Sequence, residues 1–177
     1  GLDPEVVISG VDEDQVQSHD AANLAAALAQ LKARAVAAKL ADPEALVIGC
    51  DSVLAFERQI LGKPGNGPEA TARWRRMRGN SGVLYTGHCA RLGDEELVET
   101  ASTVVHFADV SDEEIAAYVA SGEPLNVAGA FTIDGLGGAF ISGIEGDPHN
   151  VVGISLPLLR EMVSDLGLRW IDLWVRR

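Results

Sequence analysis

The chain has 177 residues, 47% of them apolar and 23% charged, with a formal charge of −12 at pH 7. That profile fits one globular domain over 1–177 with room for a proper core, and the acidic balance argues against a nucleic-acid polymer as partner. No apolar run approaches the ~20 residues of a membrane span, no basic-then-apolar leader opens the chain, and Cys50 and Cys89 make no disulfide framework, so the expected setting is cytoplasmic, away from membranes.

In chain order, PEVVIS at 4–9 reads as a short strand. The alanine- and leucine-rich run from Asp20 to Leu40 has strong helix propensity, and Asp42-Pro43 marks its stop. Leu46-Val47-Ile48 is an apolar strand ending on Asp51, followed by a hairpin through AFERQILG at 55–62. Pro68 suits the first turn of a helix that runs to Gly79. VLYTGHCARL and LVETASTVVHFADV form two antiparallel strands joined by Gly93-Asp94. Ser111 and Glu114 make a capping box that opens a helix ending at Gly122. Residues 128–147 read as glycine-broken β structure, and RWIDLWV at 169–175 as a final strand. Between them, 150–167 is one helix with Pro157 inside it and Gly167 as its C-cap. The alternation predicts an α/β fold with a mixed sheet, without repeats or linkers.

The chemistry points to the stretch around Asp51. In open α/β sheets ligands collect beyond the carboxyl ends of strands, and Lys63 follows on the next turn, stiffened by Pro64. A carboxylate and a lysine so placed can serve a metal-bound phosphate, the acid holding the cation or a water and the lysine meeting the anion. Familiar phosphate loops are excluded: Gly62-Lys63 lacks the earlier glycine and the following Ser/Thr of a P-loop, and GLGG at 135–138 lacks dinucleotide spacing. His19, His88, His106 and His149 have no zinc-ligand spacing. The basic cluster Arg73, Arg75, Arg76 and Arg78, with Glu69 and Trp74 interleaved, reads best as a solvated helix face. Each remaining candidate also has an ordinary reading. Asp12, Glu13 and Asp14 suit a solvated turn, Lys32 a surface helix position, Asp51 a turn or N-cap, Lys63 an exposed hairpin, and Asp134 a turn before Gly135.

Taken together and in order, these segments resemble the Maf family, nucleotide pyrophosphatases also called septum formation proteins. The resemblance covers essentially the whole chain. It rests on VDED at 11–14, LAQLKARAVA at 28–37, GCDSVL at 49–54, LGKP at 61–64 and YTGH at 85–88. It continues through TVVHF at 103–107, EIAAYVASGEPL at 114–125, AGAFTIDGLGGAFI at 128–141 and GDPHNVVGISLPLL at 146–159. It implies a two-lobed α/β fold with a central cleft, a homodimer, and hydrolysis of a nucleoside triphosphate (dTTP/UTP-like or modified) to monophosphate and pyrophosphate. A divalent cation, Mg²⁺ or Mn²⁺, is implied with it. By the same resemblance Asp51 is the proton acceptor for the attacking water, Glu13 and Asp51 hold the metal, and Lys32 and Lys63 face the triphosphate. Thr86 and Asp134 complete the implied substrate contacts.

Three departures stand out. The family's opening strand and Ser-x-Ser-Pro-Arg-Arg-like loop have no counterpart in this chain, which starts at GLDPEV. Asn80 and Gly82 stand where an Arg-x-His pair is usual, and Val127 replaces a lysine. Asp134, shorter than the usual glutamine, is expected to shift base or metal contacts. Fewer cations around a phosphate motivate the alternative: a nucleotide-binding, division-associated regulatory protein with weak or no catalysis. A purely structural domain requires that Glu13, Lys32, Asp51 and Lys63 do not converge.

Overall fold

The computed structural model describes residues 2–175. A five-stranded sheet runs in the order β2-β1-β3-β4-β5, with β1 Leu46–Phe56, β2 Gln59–Leu61, β3 Ser81–Leu92, β4 Glu95–Phe107 and β5 Ile141–Glu145. Among the described residues five α-helices flank it: α1 Ala21–Leu40, α2 Gly67–Met77, α3 Asp112–Ala120, α4 Pro148–Val152 and α5 Leu156–Asp165. The α/β class and the central cleft agree with the sequence. The mixed sheet does not: every strand pair among the described residues is antiparallel. Short turns join β1 to β2 and β3 to β4, and the helical connections from β2 to β3 and from β4 to β5 link no parallel neighbours among the described residues.

Several elements form where local signals are strongest. Asp20 caps α1 through the Asn23 amide at 2.8 Å, and Ala41 ends it in the left-handed region at φ 50°. Both bonds of the Ser111–Glu114 capping box are made. The β3–β4 hairpin turns on Gly93 at φ 59°, with Leu92 opposite Glu95. β1 and β2 close through Glu57 and Arg58, both at positive φ, as a two-residue turn matching strand twist requires.

The two sheet faces are covered differently. Val47, Val53 and Cys89 pack on the alanine face of α1. Their neighbours one residue on, Ile48 and Ala90, face the opposite way against Met162 and Leu166 of α5. That alternation also puts Cys50 and Cys89 on opposite faces, since Cys50 pairs with His88 and Cys89 with Gly49. Farther along β1, Leu54 and Phe56 join a second core with α2 and α3 around Trp74. The Trp74 indole is fully buried, edge-on to Phe107, Tyr118 and Phe140 at 5.7, 5.5 and 5.8 Å. Its N–H donates to the Ala130 carbonyl at 2.7 Å. Such pairs add about 0.5–1.5 kcal/mol each beyond burial.

Four segment expectations are corrected. PEVVIS forms no strand; Val6 and Ile8 are 88% and 84% exposed, and without a neighbour to pair with, an extended segment has no ladder. Residues 123–140 form short 3₁₀ turns, Glu123–Asn126, Ala128–Ala130 and Leu136–Phe140, and only β5 is extended. Residues 148–165 are two helices, because Gly153 at φ 125° stops α4 and Ser155 caps α5, leaving Pro157 in a first turn where its missing N–H costs nothing. The tail is a 3₁₀ turn at Trp170–Leu173. No helix among the described residues is long and apolar enough to cross a membrane.

Candidate active site

The site begins with how closely α1 lies on the sheet. Ala25, Ala29 and Ala33 are fully buried, and the strand positions beneath them are Gly49 and Gly87. A methyl on Gly87 would sit 2.2 Å from the Ala25 carbonyl oxygen, and one on Gly49 2.5 Å from that of Ala29. Gly87 lies directly opposite Asp51 in the β1–β3 ladder. Small residues on both surfaces thus lower the helix until Lys32 reaches Asp51. Their ammonium and carboxylate form a hydrogen-bonded ion pair, and Glu13 meets the same Nζ at 2.8 Å. Glu13 arrives on a 3₁₀ turn, Glu13–Gln15, capped by Asp12. One cation therefore holds two acids that lie 38 residues apart.

Charge and burial pull these groups in different directions. The Lys32 hydrogen bond holds Glu13 below the usual carboxylate range. Burial lifts Asp51 above its ordinary value despite Lys32, with the Glu13 charge adding to the rise. Burial works against the Lys32 charge, but the bonds from Asp51 and Glu13 outweigh it and raise its pKa. Lys63 is exposed, and its charge favours the ionised form of both acids. Its turn is pinned through the Gly62 carbonyl, which accepts from Arg73 Nη1 at 2.6 Å and from the Gly129 amide at 3.2 Å.

Two cavities meet along Asp51, Ser52, Lys63 and Ala128, one of about 700 Å³ and one of about 290 Å³. The larger is walled by Glu13, Asp14, His19 and Leu28, the smaller by Lys32, Phe131, Thr132, Asp134 and Val151. Glu13, Lys32, Asp51 and Lys63 converge, which removes the purely structural reading. Asp51 is not at a strand end as the sequence suggested; β1 continues five residues past it to Phe56. Asp134 borders the smaller cavity, as does Val127, where the family usually carries lysine. Thr86 lines neither cavity: it is fully buried behind Ser52, with its hydroxyl 2.8 Å from Ser52 Oγ.

The basic cluster on α2 is satisfied internally. Arg73 pairs with Glu69, Arg75 and Arg78 with Asp112, and Arg76 with Glu57, so that the face is solvated but largely neutralised. Among the described residues, no group of three or more His, Cys, Asp and Glu side chains is arranged to hold a metal.

A family model described as "Maf-like protein" matches residues 1–166. The chain belongs to the Maf family. Among its relatives, a protein of Streptomyces coelicolor named nucleoside triphosphate pyrophosphatase is 57% identical, covering 98% of this chain and 85% of the relative. A Salinispora tropica protein of the same name is 56% identical over 99% of this chain and 80% of its own length. A Gloeothece citriformis protein, again so named, is 51% identical over 98% and 89%.

Two residues of this Maf chain escaped sequence reading. Ser52 borders both cavities beside Asp51, and only its place in the GCDSVL block hinted at it. Glu123 accepts four hydrogen bonds: from Tyr118 Oη at 3.0 Å, the Thr132 hydroxyl, and the Leu136 and Gly137 amides at 3.0 Å each. Burial raises a carboxyl, but those donors outweigh it and bring Glu123 down to about 2. They tie down the segment that carries Thr132 and Asp134. Glu123→Gln turns one acceptor into a donor facing donors, so it should raise KM several-fold while leaving kcat within about threefold. Steady-state kinetics check this, and an unchanged KM removes Glu123 from the site's support.

Proposed function

We propose that this chain is a nucleoside triphosphate pyrophosphatase that acts as one domain. It would cleave the α–β phosphoanhydride of dTTP- or UTP-like or modified nucleotides, giving a monophosphate and pyrophosphate. The observation that carries this is Lys32 held between Glu13 and Asp51 where two cavities meet beside Lys63. The names of relatives at 51–57% identity support the reaction class.

The residues divide the work. Asp51, raised by burial, is a stronger base once ionised than a free carboxylate; it takes the proton of the attacking water, a contribution of about 10²–10⁴-fold. Lys32 and Lys63 meet the charge that grows on the equatorial oxygens and on the departing pyrophosphate. The donor set fits a hard divalent cation. Glu13 and Asp51 offer carboxylate oxygens, the hard ligands that an ion such as Mg²⁺ or Mn²⁺ takes alongside water and phosphate. When bound, Mg²⁺ or Mn²⁺ would neutralise phosphate charge as a Lewis acid. A homodimer rests on the family resemblance alone, and a cytoplasmic setting on the sequence features read above.

The test is pyrophosphate release with Mg²⁺ or Mn²⁺ over dTTP, UTP, CTP, GTP, 7-methyl-GTP and modified bases. Equal yields of monophosphate and pyrophosphate are expected. Orthophosphate as the first product overturns the reading, and tight binding without pyrophosphate favours the regulatory alternative.

The acid limb of kcat/KM carries a signed expectation. Asp51 must be ionised to act, burial raises its pKa, and Lys32 opposes that rise. Lys32→Met therefore moves the acid limb to higher pH, besides lowering activity throughout. A pH profile of the two proteins checks it, and a limb that stays or falls removes Asp51 as the titrating base.

A further inference from the structure

The four arginines of α2 and its C-cap are not alike. Arg75, Arg76 and Arg78 leave 55%, 42% and 32% of their side chains exposed, and each pairs with an exposed acid. Arg73 is 12% exposed and turned inward, next to the fully buried Trp74. Its Nε donates to Glu69, one turn back, at 2.8 Å, which orients the guanidinium plane. Nη1 then reaches the Gly62 carbonyl at 2.6 Å. That oxygen lies outside the helix, on the peptide group that carries the Lys63 nitrogen.

Neither a ladder nor packing holds the turn around Lys63. β2 stops at Leu61, so the β1–β2 pairing ends before Gly62. A methyl on Gly62 or Gly65 would meet nothing within 4 Å beyond its chain neighbours. The turn hangs on hydrogen bonds instead: Arg73 and the Gly129 amide to the Gly62 carbonyl, and the Gly65 amide to the Leu125 carbonyl at 3.3 Å. Of these three donors only Arg73 is charged, and charge-assisted bonds are about twice as strong as neutral ones. A peptide group is planar, so fixing its oxygen fixes the nitrogen from which Lys63 starts. On the other side, Pro64 confines the Lys63 backbone to extended conformations. Lys63 thus leaves from a set origin towards the two cavities, both of which it borders. The next residue of α2, Trp74, holds the Ala130 carbonyl on the wall that carries Phe131 and Thr132.

From this we infer that Arg73 is a positioning residue, which aims Lys63 at the triphosphate by holding the peptide on which Lys63 is mounted. This rests on the pyrophosphatase reading above, where Lys63 meets the charge that grows on the departing pyrophosphate. Arg73 itself borders neither cavity, so it acts through Lys63 and not on the phosphates. A lysine ammonium sits on a flexible four-carbon stem, and a swing at the base of that stem is magnified at its tip. Displacing a catalytic group by about 1 Å costs up to about 100-fold in rate. Arginine suits the position because its planar fork serves Glu69 and the Gly62 carbonyl at once, through two different nitrogens.

The test is steady-state pyrophosphate release, with Mg²⁺, from whichever nucleotide of the panel above the wild-type chain turns over fastest. It compares Arg73→Met, Arg73→Gln, Arg73→Lys, Lys63→Met, the Arg73→Met/Lys63→Met pair and Arg75→Met. Arg73→Met should lower kcat about 5–30-fold with KM within about threefold, because the aim of Lys63 matters most in the chemical step. Arg73→Lys, which keeps a charged donor, should recover most of that loss. Arg75→Met removes the same charge from the same helix and should leave kcat within about twofold. In the Lys63→Met background, Arg73→Met should cost less than about twofold more, since the group it aims is gone. Thermal melts identify a variant that fails to fold; Arg73→Gln, which keeps one uncharged donor, then replaces Arg73→Met in both comparisons. Full kcat at position 73, a loss confined to KM, or a loss that adds in full to that of Lys63→Met overturns the inference. Each of these leaves the reaction class standing. If the wild-type chain releases no pyrophosphate from any nucleotide, the reaction class falls and this role falls with it.

Discussion

Asp51→Asn should reduce pyrophosphate release by about 10²–10⁴-fold or more while the melting temperature stays within about 4 °C of wild type. The substitution keeps shape and an oxygen for Lys32 but removes the group that takes the water proton. Stability should change little because Asp51 is a costly charge in the folded protein: burial raises its pKa even with Lys32 beside it. Glu13 remains on Lys32 at 2.8 Å, so the cation keeps a partner. The sign is consistent with this. A carboxyl whose folded pKa is raised binds protons more readily in the folded state, so the ionised form at neutral pH opposes folding. Pyrophosphate release and a thermal melt on the same preparation decide it. Wild-type turnover in the variant would remove Asp51 from the chemistry, and collapse of the fold would assign it a structural role instead.

Gly87→Ala, one methyl group, should disable the site from a position that contacts no substrate. The new carbon would lie 2.2 Å from the Ala25 carbonyl oxygen and 2.5 Å from the Ala26 nitrogen, both helix backbone. Backbone atoms cannot rotate aside as a side-chain tip can, so α1 must lift from β3. Overpacking of this kind costs about 1–3 kcal/mol, a fall of roughly 2–12 °C in melting temperature for a chain of this size. Lys32 sits two turns beyond Ala25 on the same helix, and Gly87 pairs with Asp51, so the lift separates the ion pair. Pyrophosphate release should fall by at least tenfold, since small displacements of catalytic groups are felt at that scale. Gly143→Ala is the control, where the new methyl meets His106 at an ordinary 3.6 Å. A Gly87→Ala protein with wild-type melting and turnover would show that the close approach of α1 is not what sets the site.

What the sequence displayed and what it hid differ by the range of the forces involved. The Ser111–Glu114 box and the Gly93-Asp94 hairpin turn depend on residues within a few positions of each other, and both formed as read. PEVVIS has the composition of a strand, but a strand is a partnership, and nothing local supplies the partner. In 128–140 the pattern suggested β structure, yet the Glu123 carboxylate and the Trp74 indole claim its backbone groups from outside, and it forms 3₁₀ turns instead. Ser52 gives no local signal because its contacts, to Thr86 and through it to the Asn150 carbonyl, join segments up to 98 residues apart.

By itself the sequence determined the α/β class, the Ser111–Glu114 capping box, the family, and the presence of Glu13, Lys32, Asp51 and Lys63 as its candidate charges. It could not place them together. Lys32 on an alanine-rich helix has the same local signal whether it faces solvent or a carboxylate. Only the packing of alanine on glycine, which brings α1 onto Gly49 and Gly87, and the early end of the β1–β2 ladder turned those charges into a site. Both are contacts between segments distant in the chain, and no local pattern encodes their geometry.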